Sequence, residues 1–221
     1  MSRAQAPRIA LIHALAASVA PIHAAFAQAW PEARTFDLLD TSLSVDLAAE
    51  GELTETMIER FKTLAIYAAG TADRILFTCS AFGPAIDAAS RSVSIPVLKP
   101  NTGAFEAALN LGRRIGLLTT FEASSSALAR EILEQANARG QDIHLRAHFC
   151  AGALSALQSG DPEEHDIRLA EASLQLGDVD VVVLGQFSAA RAAAAVAAAS
   201  ARPVITTPLA AVRAIRAMTS A

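Results

Sequence analysis

Cys79 is the side chain in this sequence best placed to do chemistry. It follows the apolar run Ile75-Leu76-Phe77 and stands between the hydroxyls of Thr78 and Ser80. A thiol can give up a proton, and its thiolate can take one or attack an electrophile. What that thiol faces is set by a repeat. Arg8-Ile9-Ala10-Leu11-Ile12-His13 returns 106 residues later as Arg114-Ile115-Gly116-Leu117-Leu118-Thr119. Asp73-Arg74-Ile75-Leu76-Phe77-Thr78-Cys79 returns 107 residues later as Asp180-Val181-Val182-Val183-Leu184-Gly185-Gln186, and Pro96-Val97 returns at the same shift as Pro203-Val204. Two similar halves follow, and the position of Cys79 in one is held by Gln186 in the other. A site between them has a reactive thiol on one wall and a neutral amide on the opposite wall.

The other candidates also stand at strand ends, where ligands bind in open parallel sheets. They are His13, Thr119-Thr120 and Gly185-Gln186-Phe187-Ser188, with Ser18, Ser124 and Ser125 in the helices that follow. Free backbone N–H groups and the positive ends of helix dipoles favour a carboxylate at such places. The expected ligand is a small carboxylic or amino acid. The helix expected after Cys79 favours its thiolate, so fast alkylation near neutral pH is expected. Cys150, at the end of His144–Phe149, has no polar cluster and reads as structural. His144, Arg146 and His148 alternate along a polar strand edge, and His165, in a capped first helical turn, is expected to face solvent.

These residues are positioned by alternating strands and helices. The first half reads as strands at 8–13, 34–39, 74–79 and 95–98, with helices near 18–30, 54–69 and 83–91. The second reads as strands at 114–119, 143–149, 179–185 and 203–206, with helices near 124–138, 152–158, 163–176 and 186–200. A last helix covers about 208–219. Short, wholly apolar strands fronted by Asp are the mark of parallel strands covered on both faces. Asp161-Pro162-Glu163-Glu164 gives a capping Asp, a proline at the first helical position and an acidic first turn, and Gly140 stands just past a helix end. The expected fold is α/β, with two pseudo-symmetric doubly wound parallel-sheet lobes and the site in the cleft between them. The first lobe spans 1–103, with the helix at 208–221 packing back on it, and the second spans 104–207; the boundary region is 99–110.

Composition narrows the function further. Of 221 residues, 52% are hydrophobic and 18% charged, which suits a large core and argues against disorder. A net charge of −4, with one Tyr and one Trp, gives no footprint for nucleic acid. Two cysteines make neither a disulfide framework nor a zinc set, and a reducing cytoplasm is the simplest location. Arg3, Arg8, the apolar run Ile9–Ala20 and Ala25-Phe26-Ala27 have the outline of a secretory signal. His13, Pro21 and His23 interrupt it, however, and its removal would delete the first strand of the repeat. No apolar run reaches the roughly 20 residues of a membrane span. Neither G-x-G-x-x-G nor G-x-x-x-x-G-K-[ST] occurs, so no nucleotide cofactor is expected.

With Thr78-Cys79-Ser80, the strand Arg8–His13, the segment Gly116–Thr120 with Ser124 behind it and the strand end Val183-Leu184-Gly185, the chain resembles the aspartate/glutamate/hydantoin racemase superfamily over nearly its whole length. That superfamily includes maleate isomerases and arylmalonate decarboxylases. The resemblance implies two pseudo-symmetric lobes, a cleft site, no cofactor, proton transfer next to a carboxylate, and a homodimer. In racemases of this kind a cysteine from each lobe flanks the substrate carbon; Cys79 matches the first and Gln186 stands in place of the second. Three chemistries remain for one cysteine. They are decarboxylation with Cys79 protonating one face, cis–trans isomerisation with Cys79 adding to a double bond, and racemisation with His13 or water serving the second face. Gln186 would orient the substrate in each. A carboxylate-binding protein without turnover is the reading of a different class.

Overall fold

The computed structural model describes residues 6–218, except the side chain of Ala123; Arg3 and the helix end expected at 219–221 lie outside them. The first half runs β1 (Arg8–His13), α1 (Val19–Ala29), β2 (Arg34–Leu39), α2 (Ser42–Glu50), α3 (Glu55–Ala69), β3 (Arg74–Phe77), α4 (Gly83–Arg91), β4 (Val97–Leu98) and α5 (Thr102–Leu111). The second runs β5 (Arg114–Thr119), α6 (Glu122–Ala138), β6 (His144–Phe149), α7 (Ala153–Gln158), α8 (Pro162–Leu174), β7 (Val181–Leu184), α9 (Ala193–Ser200), β8 (Val204–Thr206) and α10 (Thr207–Ala217). Among the described residues the strands form two four-stranded sheets, ordered β2-β1-β3-β4 and β6-β5-β7-β8, with every pairing parallel. The two-lobe α/β layout expected from the repeat is the one observed.

The repeated Asp and Arg have a shared task. The backbone N–H of Arg8 donates to Asp73 Oδ2 at 2.6 Å, and that of Arg114 donates to Asp180 Oδ2 at 2.8 Å. In each half an Asp just before the third strand thus fastens the start of the first, satisfying a donor that the sheet would leave open. β3 and β7 are buried along their whole length, because helices cover both faces of each sheet. Asp161 accepts from the Glu164 N–H and caps α8, as its sequence context indicates. Gly140, with φ +62°, takes the left-handed conformation just after α6.

Several boundaries differ from expectation. The third strand of each half stops at Phe77 and Leu184; Thr78 and Gly185 still donate to the Ile12 and Leu118 carbonyls, and Cys79 and Gln186 follow as extended residues. The segment expected as one helix over 186–200 begins as a 3-10 turn, Phe187–Ala192, and becomes α-helical only in α9. Two helices lie where none is expected, α2 and α5. α5 occupies the boundary region itself.

α5 and α10 exchange places. α5 follows β4 of the first sheet, yet Ala104, Phe105, Ala108 and Leu109 pack with Ile115, Leu117, Val181 and Val183 of the second. α10 follows β8 of the second sheet, yet Ala211, Val212 and Ile215 pack with Ile9, Leu11, Ile22 and Phe26 of the first half. The two helices meet at Gly103, where an added Cβ would lie 2.6 Å from the Ala210 carbonyl oxygen. Arg74 Nη1 donates to the Ile215 carbonyl at 3.0 Å and Arg216 Nη1 to that of Ala29 at 2.6 Å, which secures α10 to the first half.

Candidate active site

A cavity of about 340 Å³ opens between the lobes, at the carboxyl ends of the strands. Its wall from the first half carries Thr78, Cys79 and Ser80 beyond β3, with Leu15 and Ser18 beyond β1. Its wall from the second half carries Thr120 and Phe121 beyond β5 and Gln186, Phe187 and Ser188 beyond β7. Two helices close the rim, with Ser44, Val45 and Ala48 from α2 and Leu154 and Gln158 from α7. None of these five rim residues stands at a strand end: α2 is a helix the sequence pattern does not mark, and Leu154 and Gln158 lie along the expected helix near 152–158 with no polar cluster to single them out.

Phe121 and Phe187 tie the walls together. Phe121 follows β5 but packs against the first half's core beside Ile12, Phe77 and Phe82, and Phe187 follows β7 but joins the first half's cluster of Ile9, Leu11 and Leu76. The strand ends of the second lobe are therefore docked into the first, which fixes the separation of the walls.

The Cys79 thiol is pushed up to about 11, first by burial and against the opposing effect of a hydrogen bond from the Ala81 backbone N–H. This corrects the expectation of a favoured thiolate. The physical reason is local: Cys79 precedes a 3-10 turn of three residues, Ser80–Phe82, so no long helix dipole acts on the sulfur, and α4 starts only at Gly83. At neutral pH the group on this wall is a protonated thiol.

Gln186 on the other wall is held from both sides. Its Oε1 accepts from the Thr120 backbone N–H at 2.8 Å, and its Nε2 donates to Ser124 Oγ at 2.8 Å. Ser124 in turn donates to the Phe121 carbonyl. An amide fixed in this way presents a defined edge to a ligand and exchanges no proton with it.

Of the residues singled out in the sequence, Ser18, Thr78, Cys79, Ser80, Thr120, Gln186, Phe187 and Ser188 line the cavity. Ser124 stands behind Gln186, and Thr119 is turned to Ser125 Oγ at 2.5 Å. His13 also lies behind the wall. It is fully buried, with Nδ1 2.7 Å from Thr78 Oγ1 and Nε2 2.9 Å from Asp37 Oδ1. Burial is the chief cause that lowers its pKa, and Asp37 opposes it. His165 does not face solvent as expected: it is buried on the inner face of α8 with Leu169, Ala172 and Ser173, and its Nδ1 is 2.7 Å from Asp166 Oδ1. Cys150 is buried in the second lobe with Leu118 and Ala153, away from the cavity. Among the described residues no cluster of His, Cys, Asp and Glu has the arrangement to hold a metal ion, and no helix is long and apolar enough to cross a membrane.

A family model described as Asp/Glu/Hydantoin racemase matches residues 19–215. Among solved structures, the chain is similar to glutamate racemase isoform RacE1 from Bacillus anthracis (14% identity, TM-score 0.72, covering 96% of this chain and 81% of that one). It is also similar to allantoin racemase from Klebsiella pneumoniae (19% identity, TM-score 0.69, 96% and 86%). A third similar structure is unliganded arylmalonate decarboxylase (19% identity, TM-score 0.64, 95% and 91%). No curated protein matches the sequence. At these identities the solved structures speak for the fold, and the family model for membership.

Proposed function

The chain is an enzyme of the Asp/Glu/hydantoin racemase family, and from that premise we propose that it transfers a proton at the carbon next to a carboxylate of a small organic or amino acid, without a cofactor and with Cys79 as its one acid/base. The observation that carries the reading is the unlike pair of walls. Cys79 stands in the cleft on one side, and the amide of Gln186, bound by Thr120 and Ser124, stands on the other.

The order of steps follows from the thiol's protonation. A substrate carbon that becomes electron-rich beside Cys79 is protonated by Sγ–H, and water then returns a proton to the thiolate. Thr78 and Ser80 flank Cys79 in the cavity wall, where a hydroxyl free to donate would serve the oxygens on which the negative charge develops, and Gln186 orients the substrate from the far wall.

The protonated thiol specifically favours a second reading, decarboxylation of a malonate-type acid. There the bond to one carboxylate breaks, carbon dioxide leaves, and the electron pair remains as an enediolate. Cys79 then places a proton on one face. Such a reaction needs a donor at the start and no base. Racemisation by this chain needs a thiolate first and a second group for the opposite face. Apolar Leu15, Val45 and Leu154 would receive the substituent on the reacting carbon.

The proposal carries a reducing, cytoplasmic location, in which Cys79 stays a thiol, and a homodimeric assembly, which sedimentation tests. Its direct test is Cys79→Ala. Turnover on a panel of aspartate, glutamate, a hydantoin, maleate and an arylmalonate is expected to fall by about 10²-fold or more, with an unchanged circular dichroism spectrum. Retained turnover removes Cys79 from the chemistry. Wild-type protein that binds such acids without turning them over is a carboxylate-binding protein instead.

A further inference from the structure

His13 is joined to the cleft through one hydroxyl. It ends β1 fully buried, and both ring nitrogens are engaged: Nε2 lies 2.9 Å from Asp37 Oδ1 on β2, and Nδ1 lies 2.7 Å from Thr78 Oγ1. Thr78 lines the cavity next to Cys79. At the outer end Asp37 also takes His23 Nε2 from α1, at 2.9 Å, and its side chain is 36% exposed. A line of hydrogen bonds thus runs from solvent at Asp37 to the cleft wall at Thr78.

The protons on this line can be placed by donor and acceptor counting. An ionised carboxylate only accepts, so the His13 nitrogen facing Asp37 carries a hydrogen. In the neutral ring Nδ1 is then bare and can only accept. Thr78 has a single O–H hydrogen, and that hydrogen is directed to Nδ1. In this state Thr78 shows the cleft only lone pairs, which repel a carboxylate oxygen. When the ring gains a second proton, Nδ1 becomes the donor and Thr78 Oγ1 accepts from it. The hydroxyl hydrogen is released either to a ligand in the cleft or to the Ile12 carbonyl, 3.3 Å away. The ring's proton count therefore decides whether Thr78 offers the cleft a donor.

We propose that Asp37, His13 and Thr78 form a positioning device that couples binding of a carboxylate at Thr78 to uptake of one proton by His13. The inference rests on the reading of the cleft as a carboxylate site. His13 touches no ligand and acts only through Thr78. The ionisable groups facing it are Asp37 from β2 and His23 from α1, with Cys79 one residue beyond Thr78. Asp40, whose backbone N–H donates to the His13 carbonyl, directs its side chain to Arg60 and Ser42. Burial lowers the ring's pKa despite Asp37 and so favours its neutral form in the ligand-free protein, which leaves the proton to arrive with the anion.

The test is a long-range proton–nitrogen spectrum of ¹⁵N-histidine-labelled protein titrated with sodium phenylacetate, a carboxylate with an apolar group to fit the wall of Leu15, Val45 and Leu154. The ligand-free protein near neutral pH is expected to show His13 neutral and protonated at Nε2. At saturating phenylacetate both nitrogens are protonated, and affinity weakens about tenfold per pH unit above the ring's ligand-free pKa. Thr78→Val abolishes the ring's response, whereas Cys79→Ala preserves it. A His13 ring unchanged at saturation, affinity independent of pH, or no binding of phenylacetate beside Thr78 overturns the proposal. No turnover is read, so the outcome is separate from that for Cys79: an inert Cys79 leaves the ring titration standing, and a silent ring leaves the role of the thiol to its own assay.

Discussion

A thiol held up to about 11 by burial is a proton donor over the whole physiological range. The sign of its pH dependence follows. The thiolate fraction rises about tenfold per pH unit and levels only near the thiol's own pKa. Iodoacetamide is therefore expected to label Cys79 slowly at neutral pH, with a rate that climbs toward pH 11 and falls when ligand occupies the cleft; fast labelling near pH 7 would contradict the protonated thiol. The opposite wall gives a second prediction. Gln186→Cys puts a thiol where the repeat lacks one, and chiral chromatography is expected to show racemisation introduced or raised above the wild-type level. It also strips the Thr120 N–H and Ser124 of their partner, at a cost of about 1–3 kcal/mol. Unchanged stereochemistry in a folded Gln186→Cys protein counts against opposed walls. The Cys79–Gln186 pair was legible in the sequence because a constant repeat shift aligns two strand ends. The setting of His13 was not, because Asp37 belongs to a neighbouring strand and the tie to Thr78 depends on how β1 lies between β2 and β3. His165 shows a different limit: its capped turn suggests solvent, while its spacing with Leu169, Ala172 and Ser173 puts it on the buried face of α8.

At the scale of elements, the elements with a strong local pattern were the legible ones. β3 and β7 are four-residue apolar strands covered on both faces, and their composition alone marks them. α2 is nine residues long and buries only Leu43 and Leu47, too little periodicity to distinguish it from a loop, yet it supplies Ser44, Val45 and Ala48 to the rim. The 3-10 turn at Phe187–Ala192 was hidden by a run of alanines that suits an α-helix, while Phe187 is drawn instead into the first half's core. α5 has a clear inner face, but its partners are in the sheet that follows it rather than the one before. Its contact with α10 yields a prediction. Gly103→Ala forces a methyl 2.6 Å from the Ala210 carbonyl and 2.8 Å from Ala214 Cβ, both part of another helix. Overpacking of this kind costs about 1–3 kcal/mol, expected as a lower urea midpoint monitored by the fluorescence of Trp30, which packs beside α10 in the same cluster. An unshifted midpoint would mean that the two helices separate freely.

For the whole molecule, the repeat made the two lobes and the cleft between them readable, because duplicated strand order places both sets of strand ends alike. The exchange of α5 and α10 and the docking of Phe121 and Phe187 across the cleft were less accessible, since residue patterns say which face is apolar and not which lobe covers it. These ties hold two unlike walls at a fixed separation, an arrangement in which one thiol serves one face of the substrate carbon. The measurement that tests it most directly is proton NMR in D₂O with enantiopure or prochiral acids from the panel, followed by assignment of the product's handedness. Deuterium is expected on one face only, delivered by exchange with retention or with loss of carbon dioxide. Deuterium uptake accompanied by loss of optical purity would mean that a second base works opposite Cys79, and would contradict it.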